Sequence, residues 1–151
     1  MVRRFFATDG NVSGTILRVV LGAVMFPHGA QKLLGWFGGR GYEATVSGFA
    51  ANFHIPEVLA VLVILTESVG AVALVMGFFT RLAALAVAVD MAGAIILVHL
   101  KFGFFMNWSG TAKGEGFEYH LLAIAIGIAL MIKGGGLWSV DRTIATRLKN
   151  R

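Results

Sequence analysis

The chain has 151 residues, 57% hydrophobic and 14% charged, with a formal net charge of +5. This composition and a mean hydropathy of +0.78 exclude an ordinary soluble domain, and the length suits one unit rather than two. The absence of cysteine excludes disulfides, iron–sulfur ligation and thiol redox chemistry by this chain alone.

The opening "MVRRFFATDGNVSGTILRVVLGAVMF" runs from basic to apolar, as signal peptides do. Arg18 interrupts the apolar run and no small-residue cleavage site follows, so the segment reads as a retained first helix. Thr15–Phe37 is the first of four stretches long enough to cross a hydrocarbon core of ~30 Å, which takes ~20 helical residues. The others are Glu57–Phe79, Leu82–Phe102 and Phe117–Ile132. The expected fold is all-α: a four-helix integral membrane bundle, with residues 1–151 forming one membrane domain.

The first span carries Arg18 near one end and His28, Gln31 and Lys32 toward the other. The last three are spaced i, i+3, i+4 and so share one helix face. Lys32 can join that face or snorkel outward to water. Gly22 and Gly29 lie seven apart, near one stripe, where missing side chains let helices approach closely; common glycine usage in membrane helices is an equal alternative. In the loop that follows, Tyr42, Val46, Phe49 and Phe53 fall at helical spacing and predict a short amphipathic helix over 42–53. His54 reads as loop surface, and Pro56 stands at the start of the second span, where a missing N–H costs nothing.

The second span holds Glu67 alone at mid-helix, with glycines again seven apart at Gly70 and Gly77. The turn "GFFTRL" (77–82) is short enough to force an antiparallel hairpin. The third span carries Asp90 and His99. The loop "KFGFFMNWSGTAKGEG" mixes aromatics with glycine, as an interfacial aromatic belt or a lid over a pocket would. The fourth span opens with Glu118 and His120, two apart, so both cannot point inward; Glu118 is favoured for the interior. His99 and His120 read as interfacial. With no tight His-x-x-x-His or Glu-x-x-His pair, no metal site is expected.

Basic residues follow the spans rather than one polar face, which argues against nucleic acid as a partner. Arg3, Arg4, Arg81, Lys133, Arg142, Arg147, Lys149 and Arg151 fall on one side, and Arg40, Lys101 and Lys113 on the other. That asymmetry predicts both termini in the cytoplasm of an inner (plasma) membrane protein. Charges buried in a bilayer usually face the bundle interior, and depth selects their partners. His28 and Glu67 both come out about 12–15 Å inside the outer ends of their helices. Asp90 lies about 12 Å from the inner end of its span and Arg18 about 4–5 Å from the end of its own. Two polar layers are therefore expected: a structural ion pair of Arg18 with Asp90, and a hydrogen bond of His28 with Glu67. The candidate ligand-binding set is His28, Gln31, Lys32, Glu67 and Glu118. No catalytic residue is assigned.

Three segments, "LRVVLGAVMFPHGAQKLLG", "IPEVLAVLVILTESVGAVALVMGFFTR" and "GEGFEYHLLAIAIGIALMIKGGGLWSVD", are similar to the DoxX family of small four-helix membrane proteins. The resemblance covers about residues 14–142. It is carried by Arg18 with His28, Gly29, Gln31 and Lys32, by Glu67, by Gly116, Glu118 and Tyr119, and by Gly134 to Asp141. It implies a redox-linked inner-membrane subunit and does not transfer a substrate site, because family membership alone does not establish chemistry.

Three functions follow. In the first, the outer polar pocket takes a quinone or small sulfur oxyanion. No intrinsic cofactor is expected, so electrons would pass through the ligand or a membrane or soluble oxidoreductase partner. In the second, the chain is a non-catalytic scaffold or anchor, its basic tail resting on the lipid bilayer or a partner. In the third it is a small transporter, which would require a homo-oligomer.

Overall fold

The computed structural model describes residues 5–150, so Arg3, Arg4 and Arg151 of the charge count lie outside the described residues. Every element is helical. Helix α1 is Val12–Leu34, α2 Gly41–Phe53, α3 Glu57–Met76, α4 Thr80–Phe102, α5 Glu118–Lys133 and α6 Val140–Lys149. Three of them, α1, α3 and α4, at 23, 20 and 23 residues, are long and apolar enough to cross a membrane. Helix α5 has 16 residues, about 24 Å of rise, short of a full hydrocarbon core.

Local chemistry sets the helix boundaries. Helix α1 starts at Val12, ahead of its apolar run, because the Asn11 side chain accepts from Gly14 N–H at 3.0 Å. It stops at Leu34 because Gly35 turns left-handed with φ 73°, leaving Trp36 and Phe37 outside. Helix α3 ends at Met76 where Gly77 does the same at φ 68°. Helix α4 begins at Thr80, two residues before the expected Leu82. Asp141 explains this: its carboxylate accepts from Phe79 N–H and Thr80 N–H, both at 2.8 Å. Helix α6 is itself capped by Ser139, whose hydroxyl accepts from Arg142 N–H at 3.2 Å.

Helix α1 packs on α3, α3 on α4, α4 on α5, and α5 back on α1, while α2 bridges α1 and α3. The first contact depends on missing side chains. A Cβ at Gly29 would stand 2.3 Å from the Glu67 carbonyl, and one at Gly22 2.6 Å from that of Ala71. Gly127 lets α5 approach α4 in the same manner, 3.0 Å from the Ala84 carbonyl. Gly70 meets no such contact; its place in the glycine spacing has no packing role.

The interior is built from Leu21, Met25, Ala71, Leu74, Ala84, Val87, Met91, Ala123 and Leu130. Large aliphatic side chains stand outside: Val58 is 70% exposed, Ile96 68% and Ile132 70%. Apolar side chains all round a helix suit an environment of lipid rather than water.

Candidate functional site

Two clusters of buried charge lie at different levels of the structure. The first surrounds Arg18, 2% exposed. Its Nε–H donates to the Gly135 carbonyl at 2.8 Å, and its terminal nitrogens donate to Leu74, Val75, Leu137 and Trp138 carbonyls. Leu74 and Val75 are last-turn carbonyls of α3, at the negative end of the helix dipole; the Leu74 carbonyl also accepts from Gly77 N–H at 3.0 Å. Asp141 supplies the nearby countercharge.

The expected Arg18–Asp90 ion pair is not made. Arg18 is spent on the α3 terminus and the Gly134–Ser139 loop, and Asp90 stands at a different level. Asp141, which closes the Gly134–Asp141 stretch but has no charge partner assigned from the residue pattern, takes the place given to Asp90. The signal lay in the "SVD" that follows the glycine run, where Ser139 and Asp141 cap two different helices.

The second cluster lies where α1, α3, α4 and α5 meet. Lys32 forms an ion pair with Glu67, the only one among the described residues. Glu67 sits in a π-helical turn, Thr66–Gly70, an irregularity often found at functional positions. The Asp90 carboxyl group lies within electrostatic reach of Glu67 and Lys32, and Asp90 Oδ2 is buried without a partner. Tyr119 is within electrostatic reach of both acids, and its hydroxyl donates to Met25 Sδ at 3.5 Å.

The expected His28–Glu67 hydrogen bond is absent, and geometry explains it. Gly29 is the residue pressed on the Glu67 backbone, so neighbouring His28 points about 100° away. Lys32 is on the Gly29 face, and helical side chains lean toward the N-terminus, which directs its stem inward to Glu67. His28 is exposed, within electrostatic reach of Lys32 and Glu67.

Gln31 leaves the group as well, donating to the Phe37 carbonyl at 3.1 Å. With Lys32 it lines a cleft of about 360 Å³ between the end of α1, residues 38–40 and α2. Small-molecule sites fall at ~300–1,000 Å³, so this cleft is at the lower end.

Glu118 does not point into the cluster. Its Oε1 accepts from Met106 N–H at 3.0 Å and Trp108 Nε1–H at 3.1 Å, fastening the loop before α5. His120 is buried instead, 6% exposed. Its ring lies against that of His99, 4.1 Å between centroids and tilted by 41°, and its Nδ1 has no partner. A second π-helical turn, Ile95–His99, places His99 there, and His99 Nδ1 bonds the Glu115 carbonyl at 2.8 Å.

The model of the DoxX family matches residues 14–100. The chain belongs to the DoxX family. The matched stretch holds Arg18, Lys32, Glu67 and Asp90, so three of the four charged residues named for the two clusters besides Asp141 come together in the second. The DoxX chain is also similar to "Putative oxidoreductase CatD" of Bacillus subtilis (strain 168), with 33% identity over 115 residues, 76% of this chain and 75% of that one. No solved structure matches it. DoxX membership and three apolar spans mark the chain as membrane-associated.

Proposed function

We propose that this DoxX protein is a redox-linked membrane subunit whose Lys32–Glu67–Asp90 cluster exchanges protons with a quinone-class ligand. One observation carries the reading: a second carboxyl group stands against an ion pair that already balances its own charge. A lone ammonium neutralises one carboxylate, and an unpaired charge between membrane helices is costly. Neutrality therefore asks for a proton on the acid pair, which the pair can take up or release. Quinol oxidation releases protons along with electrons. A sulfur oxyanion fits less well, because Lys32 is engaged and the nearest free group is an acid.

In this reading α5 completes a four-helix bundle with α1, α3 and α4. The charge asymmetry holds both termini in the cytoplasm of the inner membrane, and the cleft beside Lys32 opens on the other side. Electrons pass to an oxidoreductase partner, since the chain has no cysteine to take part in thiol redox chemistry. The similarity to a relative named as an oxidoreductase supports the redox assignment.

The test is organic extraction of protein purified from native membranes, followed by quinone analysis, for the parent and for Asp90→Asn and Glu67→Gln. Co-purifying quinone that falls in both variants, with helical content unchanged, supports the reading. A quinone-free parent leaves the scaffold function standing.

A further inference from the structure

Helix α6 has two faces. Val140, Ile144 and Leu148 recur every four residues on one. Ser139, Arg142, Thr143, Thr146, Arg147 and Asn150 recur at three- to four-residue spacing and share the other. With Leu137 and Trp138, that polar face lines an open cleft of about 570 Å³.

The charge of the cleft is uncompensated. Asp141, the acid of α6, is 3% exposed and occupied with the start of α4. Among the described residues, Arg142 and Arg147 have no acid partner. The Arg142 guanidinium is seated over Gly10, at 3.4 Å from where a Cβ there would stand. Thr143 and Thr146 donate to Ser139 and Arg142 carbonyls in their own helix. The guanidinium groups are thus the charged donors left for a ligand.

Position selects the ligand. Phe5, Phe6, Phe78 and Phe79 stack edge to face at this end of the molecule. Trp138 projects there at 75% exposure, and such aromatics gather at the membrane–water boundary. Trp138 has a left-handed backbone, φ 54°, which a bulky residue adopts only when its surroundings impose it. The Arg18 guanidinium holds it there, donating to the Trp138 carbonyl at 2.9 Å.

We propose that the Arg142–Arg147 face of α6 binds the phosphodiester of an anionic phospholipid headgroup, with Trp138 marking the membrane boundary beside it. The planar forks of arginine match phosphate oxygens in pairs. This site does not rest on the redox reading.

The experiment uses the full chain, delipidated in a neutral detergent and titrated with phosphatidylglycerol or phosphatidylcholine in mixed micelles. Bound lipid is counted by native mass spectrometry. Phosphatidylglycerol is expected to bind saturably, to weaken as salt rises, and to be retained over phosphatidylcholine. The R142Q/R147Q double variant is expected to lose about thirtyfold in affinity, at ~1 kcal/mol per basic residue. Lys149→Gln, off the cleft, changes affinity by less than the ~fivefold that ~1 kcal/mol for one cleft arginine gives. Equal retention of the two lipids, unaltered binding in the double variant, or displacement by inorganic phosphate at constant ionic strength each overturns the proposal. Salt dependence of the parent decides the matter should the double variant fail to fold.

Discussion

Arg18 and Asp90 are both charged groups set between apolar helices, and they are treated in opposite ways. Arg18 finds five backbone carbonyls and a nearby acid, so its donors are spent. Asp90 meets another acid and keeps one buried oxygen without a partner. A saturated charge can only hold parts together. An unsaturated one has a state left to change, which a proton-handling site requires.

The contrast breaks first at Arg18. Arg18→Leu is expected to lower stability by about 3–5 kcal/mol, since each orphaned buried acceptor costs ~1–3 kcal/mol, read by thermal unfolding in detergent. Arg18→Lys should recover little, because a compact ammonium cannot reach carbonyls spread over two segments. Gly29→Val comes next, at about 1–3 kcal/mol or more, because its Cβ would stand 2.3 Å from the Glu67 backbone. The same variant should part Lys32 from Glu67, visible as a changed Lys32 signal in solid-state NMR.

Asp141→Ala removes the distant cap of α4 and is expected to cost about 0.5–2 kcal/mol, with faster amide exchange at Phe79 and Thr80. Asp90→Asn should be the smallest in stability, within ~1 kcal/mol of the parent or above it, because it removes an uncompensated acid. A loss there as large as that for Arg18 would place Asp90 among the structural charges and end the distinction.

The two glycine pairs show how far residue patterns reach. Gly22 and Gly29 do carry the α1–α3 contact, whereas Gly70 meets only the Leu65 carbonyl of its own helix and Gly77 turns the chain against Ser139. Spacing identifies a stripe without saying what faces it. Lys32 and Glu67 are legible as members of one group, but their pairing is not, because depth along the helix axis leaves out the lean of the side chains. Glu118 and His120 exchanged roles for a related reason. The loop before α5 offers Met106 and Trp108 N–H donors to the carboxylate, a partner that periodicity does not contain.

Apolar runs, the hairpin turn and the ionisable residues within the spans were readable from residue order, because transfer of side chains into lipid depends on composition over a window. Partner choice among those charges belonged to the tertiary structure. A π-helical turn at Glu67, a glycine contact at Gly29 and a cap reaching from Asp141 to Thr80 join residues far apart in the chain. Electrostatic and hydrogen-bond energies fall off over a few ångströms and depend on direction, so only the folded arrangement decides which charges are satisfied and which are left able to react.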